Sequence, residues 1–198
     1  MTNRLDGKVA LVTGASRGIG RGIALCLAAG GADVVVNYRS HPDEAQEVVE
    51  AISAMGRQAL SVQADVGQRE AVARMVASTV EAMGRLDIAV ANAAFSIRET
   101  VLEAEWKNVQ RVSEVSQFGV FHTCQLAAQQ MVAQLETSGG GGKIIIIGSI
   151  LEELAASGSA AYNMAKAAIN HLGRTMAAEL APYRINVNMV NPGWIDTP

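Results

Sequence analysis

Apolar positions along this chain fall into short solid runs separated by longer stretches with helical spacing. Lys8-Val9-Ala10-Leu11-Val12-Thr13 is apolar through its centre, which predicts a strand buried on both faces. Runs of the same kind occur at Asp33–Asn37, Gln58–Gln63, Leu86–Val90, Ile144–Ile147 and Ile185–Val190. Helical spacing fills the intervals. It runs from Arg21 to Ala29, stopped by Gly30-Gly31, and from Pro42 to near Met55, stopped by Gly56. Pro42 sits in the first turn of that second helix, with Asp43 and Glu44 where the helix dipole favours negative charge. A third helix starts near Gln68 and aligns Val72, Met75, Val76 and Val80 on one face. A short helix around Glu103–Trp106, a long one from Val109 to Leu135 and another from Ala160 to Leu180 complete the set. Thr137–Gly142 reads as a loop between elements. Strand and helix alternate with short connections and no second composition zone, so residues 1–198 form a single domain. The pattern predicts an α/β fold: a doubly wound, all-parallel sheet with right-handed connections and helices on both faces.

Composition narrows the function classes. The chain has 198 residues, 49% of them hydrophobic, enough for one full core. A net charge of -3 without a basic, aromatic-laced stripe argues against nucleic acid as partner. No run approaches the ~18 apolar residues of a membrane span. The N-terminus lacks the apolar core of a signal peptide, so the expected location is cytoplasmic. Cys26 and Cys124 both fall in predicted helices and are expected to be reduced, buried thiols. His41, His122 and His171 show no metal-ligand spacing, and no metal is expected. The long helix has more apolar surface than one stripe needs. That fits a sheet on one side and a second copy of the chain on the other, with intramolecular packing alone as the alternative.

The candidate chemistry lies at strand carboxyl ends. Gly14-Ala15-Ser16-Arg17-Gly18-Ile19-Gly20 joins the first strand to the first helix. Its spacing is Gly-x-x-x-Gly-x-Gly rather than Gly-x-Gly-x-x-Gly, yet backbone N–H groups in such a turn can cradle a pyrophosphate. Asn37-Tyr38-Arg39-Ser40 ends the second strand with no carboxylate, and Arg17 supplies a second cation. An acidic residue there would bind the ribose 2′-hydroxyl of NAD, whereas an Arg accommodates the 2′-phosphate of NADP. NADP is therefore favoured and NAD tolerated, unless Arg39 is only a solvated loop charge. Ala64-Asp65-Val66 ends the third strand, where Asp65 either meets an adenine edge or caps the next helix. Asn92-Ala93-Ala94 ends the fourth, with small residues that let a ligand approach the backbone.

Ser149 follows the isoleucine strand, and Tyr162 and Lys166 share one face of the following helix. An ammonium one turn away would lower the phenol pKa, letting Tyr162 move a proton near neutrality while Ser149 holds the reacting oxygen. Tyr-x-x-x-Lys alone is common on ordinary helices, so its weight comes from the nucleotide site. Glu152 and Glu153 either border the substrate pocket or are solvated charges.

Taken together, Thr13-Gly14-x-x-x-Gly18-Ile19-Gly20, Asn92-Ala93-Ala94, Ser149, Tyr162-x-x-x-Lys166 and Asn191-Pro192-Gly193 resemble, in order, the motifs of the short-chain dehydrogenase/reductase family. Within it the chain is most similar to bacterial glucose 1-dehydrogenase-like members. The resemblance implies a Rossmann fold, with Tyr162 as acid/base, Ser149 orienting a carbonyl and Lys166 binding the nicotinamide ribose. It places Asp65 by the adenine and Pro192, Gly193, Ile195 and Thr197 at the nicotinamide end. It also implies a homotetramer or dimer acting on a small alcohol or carbonyl compound, a sugar being one choice. Reductases of 3-oxoacyl carrier protein are the near alternative, and a non-catalytic dinucleotide-binding sensor or scaffold the distant one. Where the family has an Asn in the long helix, this chain has Ser116 by the register of Gly119-Val120-Phe121, or Ser113 counted from Trp106. The family's last strand and substrate-covering segment would follow Pro198. A tail outside this sequence is the favoured expectation and a natural truncation the other. Without them, Ile185–Val190 would be an unpaired sheet edge.

Overall fold

A computed structural model describes residues 5–138 and 141–197. Six strands form one parallel sheet: β1 (Val9–Val12), β2 (Asp33–Tyr38), β3 (Ala59–Gln63), β4 (Ile88–Ala91), β5 (Gly142–Ile147) and β6 (Ile185–Val190). Their spatial order is β3-β2-β1-β4-β5-β6. The order reverses direction at β1/β4, and doubly wound sheets open a crevice at that point, beyond the strands' carboxyl ends.

Two cores sandwich the sheet because successive strand side chains point to opposite faces. On one face Ala10, Val12, Val34 and Val36 pack with Ala24 and Ala28 of α1 (Gly18–Ala29) and Val48 and Ile52 of α2 (Pro42–Ala54). On the other, Leu11, Val35, Ile144 and Ile146 meet α3 (Arg69–Met83), through Val72 and Met75, and the long helices that follow β4 and β5. The central strands read as solid apolar runs for this reason. β6, at one edge of the sheet, instead alternates exposed residues with the buried Ile185 and the half-buried Val187 and Met189.

The region after β4 departs from expectation. Glu103 lies in a turn, and no separate helix forms around Glu103–Trp106. A continuous helical run begins at Trp106 as α4 (Trp106–Ser113), passes through a π-helical turn at Glu114–Phe118 and continues as α5 (Gly119–Ala133). Glu99 organises its start, accepting from the Glu105 amide at 3.3 Å and from Asn108 Nδ2 at 2.6 Å. A carboxylate there also complements the positive end of the helix. Thr137 and Ser138 belong to the short helix α6 (Leu135–Ser138) and Gly142 opens β5, so the expected loop narrows from both sides. Gly139 and Gly140 lie outside the described residues. The last helix, α7 (Ala160–Leu180), matches its expected bounds.

Cys124 is buried as expected, but Cys26 is exposed. Helix α1 buries the stripe Gly20, Ala24 and Ala28, and Cys26 sits about half a turn from it. Among the described residues no His/Cys/Asp/Glu group could hold a metal ion, and no helix is long and apolar enough to cross a membrane.

Candidate active site

The turn between β1 and α1 is built by close backbone contact. Gly14 and Gly18 have φ of 62° and 56°, in the left-handed region that disfavours side chains. Gly20 lies in the first turn of α1, where a Cβ would stand 2.2 Å from the Gly14 carbonyl oxygen and 2.6 Å from Asn92 Nδ2. Asn92 fastens this packing from just past β4, donating to Thr13 O at 2.8 Å and Gly14 O at 3.2 Å. The Thr13 hydroxyl accepts in return from the Asn92 and Ala93 amides. Helix α1 has no side-chain cap and no acidic residue in its first turn. Its opening N–H groups and positive dipole end therefore remain available to an anion.

The glycine turn forms one wall of a cleft of about 500 Å³, which continues past Tyr38–Ser40, Asp65-Val66 and Asn92–Ala94. Asn37 belongs to its frame. It is 1% exposed, and its carboxamide accepts from Gly14 N at 3.1 Å and donates to Val62 O and Ala64 O. The side chain at the position of the usual ribose-binding carboxylate thus faces inward and ties β1, β2 and β3 together. Arg39 and Ser40 follow it on the cleft wall. Asp65 does not cap α3, whose N-cap is Gln68. One of its oxygens accepts from the Gly67 amide at 2.9 Å and the other from Arg111 at 2.5 Å, an ion pair that joins the cleft wall to α4.

Ser149, Tyr162 and Lys166 meet at the carboxyl end of β5. Ser149 is 8% exposed and accepts from the Leu151 amide, starting a short 3-10 turn. Lys166 is 2% exposed; its ammonium donates to Ile147 O at 2.7 Å and lies 5.4 Å from the centre of the Tyr162 ring. Burial pushes that ammonium down to about 8, with the negative charge of Glu152 opposing the shift. Tyr162 corrects an expectation. Burial pushes its phenol above the ordinary value, and hydrogen bonding with the Ser149 side chain only partly offsets this. The ammonium sits over the ring face and is committed to Ile147, so desolvation of the phenolate wins.

A crevice at the reversal point of the sheet, with a glycine-lined anion cradle at one end and a buried Ser-Tyr-Lys group beyond it, is what a nicotinamide dinucleotide requires. Residues 8–198 match the short chain dehydrogenase family model. The chain belongs to the short-chain dehydrogenase family. It is 37% identical over 193 residues to an L-rhamnose 1-dehydrogenase (NAD(P)(+)) of a Sphingomonas species, an alignment covering 98% of this chain and 74% of the relative. A 3-oxoacyl-[acyl-carrier-protein] reductase of Synechocystis is 38% identical over 193 residues, covering 98% of this chain and 76% of the relative. The crystal structure of a short-chain dehydrogenase from Burkholderia cenocepacia, in complex with NADP, superposes with a TM-score of 0.92 at 39% identity. That superposition covers 98% of this chain and 77% of the other.

Within this short-chain dehydrogenase the residues at the ends of β1, β2, β3 and β4 share one cleft, and Thr197 reaches it as well, its side chain within 3.5 Å of where a Gly18 Cβ would stand. Thr197 therefore lies by the glycine turn. Pro192 and Gly193 pack instead against the serine turn, Pro192 O accepting from the Ile150 amide at 3.1 Å, while Ile195 is exposed outside the cleft. Ser116 is the buried serine of the pair and lies in the π-helical turn, whereas Ser113 bonds back to Val109 O within its helix. The Ser116 hydroxyl donates to Phe95 O at 2.7 Å and accepts from the Phe95 amide at 2.8 Å, latching the loop after β4 to the π-helical turn. Sequence reasoning missed Phe95, Val115 and His41 on the cleft wall. Phe95 directly continues Asn92–Ala94, and His41 directly follows Ser40, accepting or donating a 3.0 Å hydrogen bond with its hydroxyl. Both positions were accessible by extending the strand-end segments one residue. Glu153 is exposed, whereas Glu152 is half-buried and accepts from Asn170 and Asn191.

Proposed function

We propose that this dehydrogenase interconverts an alcohol and a carbonyl compound with NADP(H) as preferred coenzyme and NAD(H) as a tolerated one. The observation that carries the reading is the buried lysine held over a half-buried tyrosine beside Ser149 at the carboxyl end of β5, the strand next to the one whose end, Asn92–Ala94, lines the cleft. A nicotinamide held there would supply the hydride-transfer chemistry. Tyr162 takes the alcohol proton as the C–O bond becomes C=O, and gives it back in reduction; Ser149 hydrogen-bonds the same oxygen. Lys166 orients the nicotinamide ribose, and its positive charge favours the ionised phenol once a substrate oxygen shares that proton. Gly14, Ser16, Arg17, Gly18, Ile19 and Gly20 hold the pyrophosphate, and Asp65 and Val66 border the adenine.

NADP preference rests on the absence of any carboxylate at the end of β2 and on Arg39 at the cleft wall. Arg39→Ala is expected to weaken NADPH binding about tenfold or more, the loss of one charge-assisted hydrogen bond, and leave NADH nearly unchanged. Fluorescence titration of both nucleotides measures this; equal losses would exclude Arg39 from 2′-phosphate recognition.

A sugar, as in glucose 1-dehydrogenase-like members, is the favoured substrate class, supported by the rhamnose dehydrogenase relative. The acyl carrier protein reductase relative supports the second reading. A spectrophotometric screen of aldoses, polyols and 3-oxoacyl thioesters separates them. We also read the chain as a homo-oligomer. The outer faces of α5 and α7 leave an apolar groove of about 590 Å³ that includes Phe121, Val132, Leu172 and Met176, with Phe121 40% exposed. Phe121→Glu is expected to turn a larger species into a monomer in sedimentation runs, since a buried unpaired carboxylate opposes association. An unchanged species would remove this face from the interface.

A further inference from the structure

Behind the Ser-Tyr-Lys group lies a carboxylate that the proposed reaction leaves without a role. Glu152 sits in the 3-10 turn that Ser149 starts. Its Oε1 accepts from Asn170 at 2.5 Å and from Asn191 at 2.6 Å, while its Oε2 is shut off from solvent and has no hydrogen-bond partner. Asn170 stands one helical turn beyond Lys166 on α7. Asn191 opens the Asn191-Pro192-Gly193 segment, and a Cβ on Gly148 would come within 3.1 Å of Glu152 Oε2. Gly148 in turn follows Ile147, whose carbonyl holds the Lys166 ammonium. One acidic side chain thus touches the serine turn, the lysine helix and the segment after β6.

We propose that Glu152 is a positioning residue of the reaction centre, one that keeps Lys166 in its ammonium form and ties the segment after β6 to α7. The inference rests on the role given to Lys166 above. A half-buried carboxylate with one unpaired oxygen is costly unless a cation answers it, and Lys166 is a nearly fully buried cation whose ammonium makes a hydrogen bond to a neutral carbonyl. The other charges that bear on Glu152 are Glu153 from the same turn and Arg174 from α7; Tyr162 is the titratable neighbour of Lys166. Burial pushes the Glu152 carboxyl up, the Asn191 hydrogen bond pulls it down, Glu153 adds to the rise, and Arg174 and Lys166 oppose it. The influence between Glu152 and Lys166 is mutual, each favouring the charged form of the other.

Glu152→Gln separates charge from shape, because a glutamine oxygen can still accept from both asparagines. Lys8, Lys107, Lys143 and Lys166 are the chain's lysines, so a 13Cε lysine label resolves the titration of Lys166. In the intact chain its midpoint is expected at about 8. In the Gln variant it should fall by about one pH unit, the size of a lost neighbouring opposite charge. In alcohol oxidation Tyr162 must be ionised and Lys166 protonated, so the alkaline limb of kcat should move down by the same amount, with NADPH affinity held within about twofold. Glu152→Asp keeps the charge and should leave the midpoint high. An unmoved Lys166 midpoint in the Gln variant, or an equal fall in Gln and Asp variants, overturns the proposal. Full turnover in Tyr162→Phe would instead sink the reaction assigned above, and the lysine titration would still report on Glu152.

Discussion

Replacing Tyr162 with Phe is expected to lower kcat about a thousandfold while NADPH affinity stays within about twofold, because one hydroxyl group carries the proton transfer. The removed oxygen hydrogen-bonds with Ser149 and packs in no core, so folding should be little changed. Direction matters too. The phenol is held above its ordinary value by burial, so in the free enzyme it stays protonated through neutral pH. Carbonyl reduction needs the protonated phenol and should therefore be nearly flat with pH across neutrality. Alcohol oxidation needs the ionised form and should rise steadily with pH, up to the limit set when Lys166 loses its proton at about 8. Steady-state pH profiles in both directions check this; an oxidation rate that falls as pH rises through neutrality would assign the base to another group. Residual turnover in the Phe variant within tenfold of the parent would leave the family's reaction without a proton carrier in this chain.

The strands, the glycine turn and the candidate site at the strand ends were legible in the sequence because they are made of local signals. Strand runs, glycine stops and the four-residue spacing of Tyr162 and Lys166 each concern neighbours along the chain, and parallel connectivity then brings the strand ends together. What stayed hidden depends on direction or distance. A strand buried on both faces carries no alternation, so nothing in Val34-Val35-Val36-Asn37 showed that Asn37 points inward to Gly14 and Ala64. The Asp65–Arg111 pair joins residues that lie far apart in sequence, and no local pattern announces it. The same holds for Glu152, which reads as one of two adjacent glutamates until Asn170 and Asn191 are placed around one of them. The sign of the Tyr162 shift was missed for a related reason. Spacing reported that a cation was near, but not that the site was dry enough for desolvation to outweigh it.

Two glycines in α1, two residues apart, should respond in opposite ways to the same change. Gly20→Ala places a methyl group 2.2 Å from the Gly14 carbonyl oxygen and 2.9 Å from its carbon, both of them backbone atoms. Neither can swing away as a side-chain tip would, so helix and turn must separate. The Asn92 bonds to Thr13 O and Gly14 O then lengthen or break. Overpacking of this kind costs about 1–3 kcal/mol, a fall in Tm of roughly 2–12 °C for a chain of this size. The same displacement spreads the N–H cradle, so NADPH affinity should drop at least about tenfold. Gly22→Ala is the matched control. Its Cβ would meet nothing within 4 Å, and the position is exposed within the helix. There the substitution only removes the glycine penalty, worth about 1 kcal/mol, and should raise Tm by roughly 2–4 °C with coenzyme binding unchanged. Thermal unfolding with and without NADPH measures both. If Gly20→Ala binds NADPH as the parent does, the close approach of α1 to the β1 turn is not what shapes the phosphate site, and the glycine spacing loses its physical meaning here.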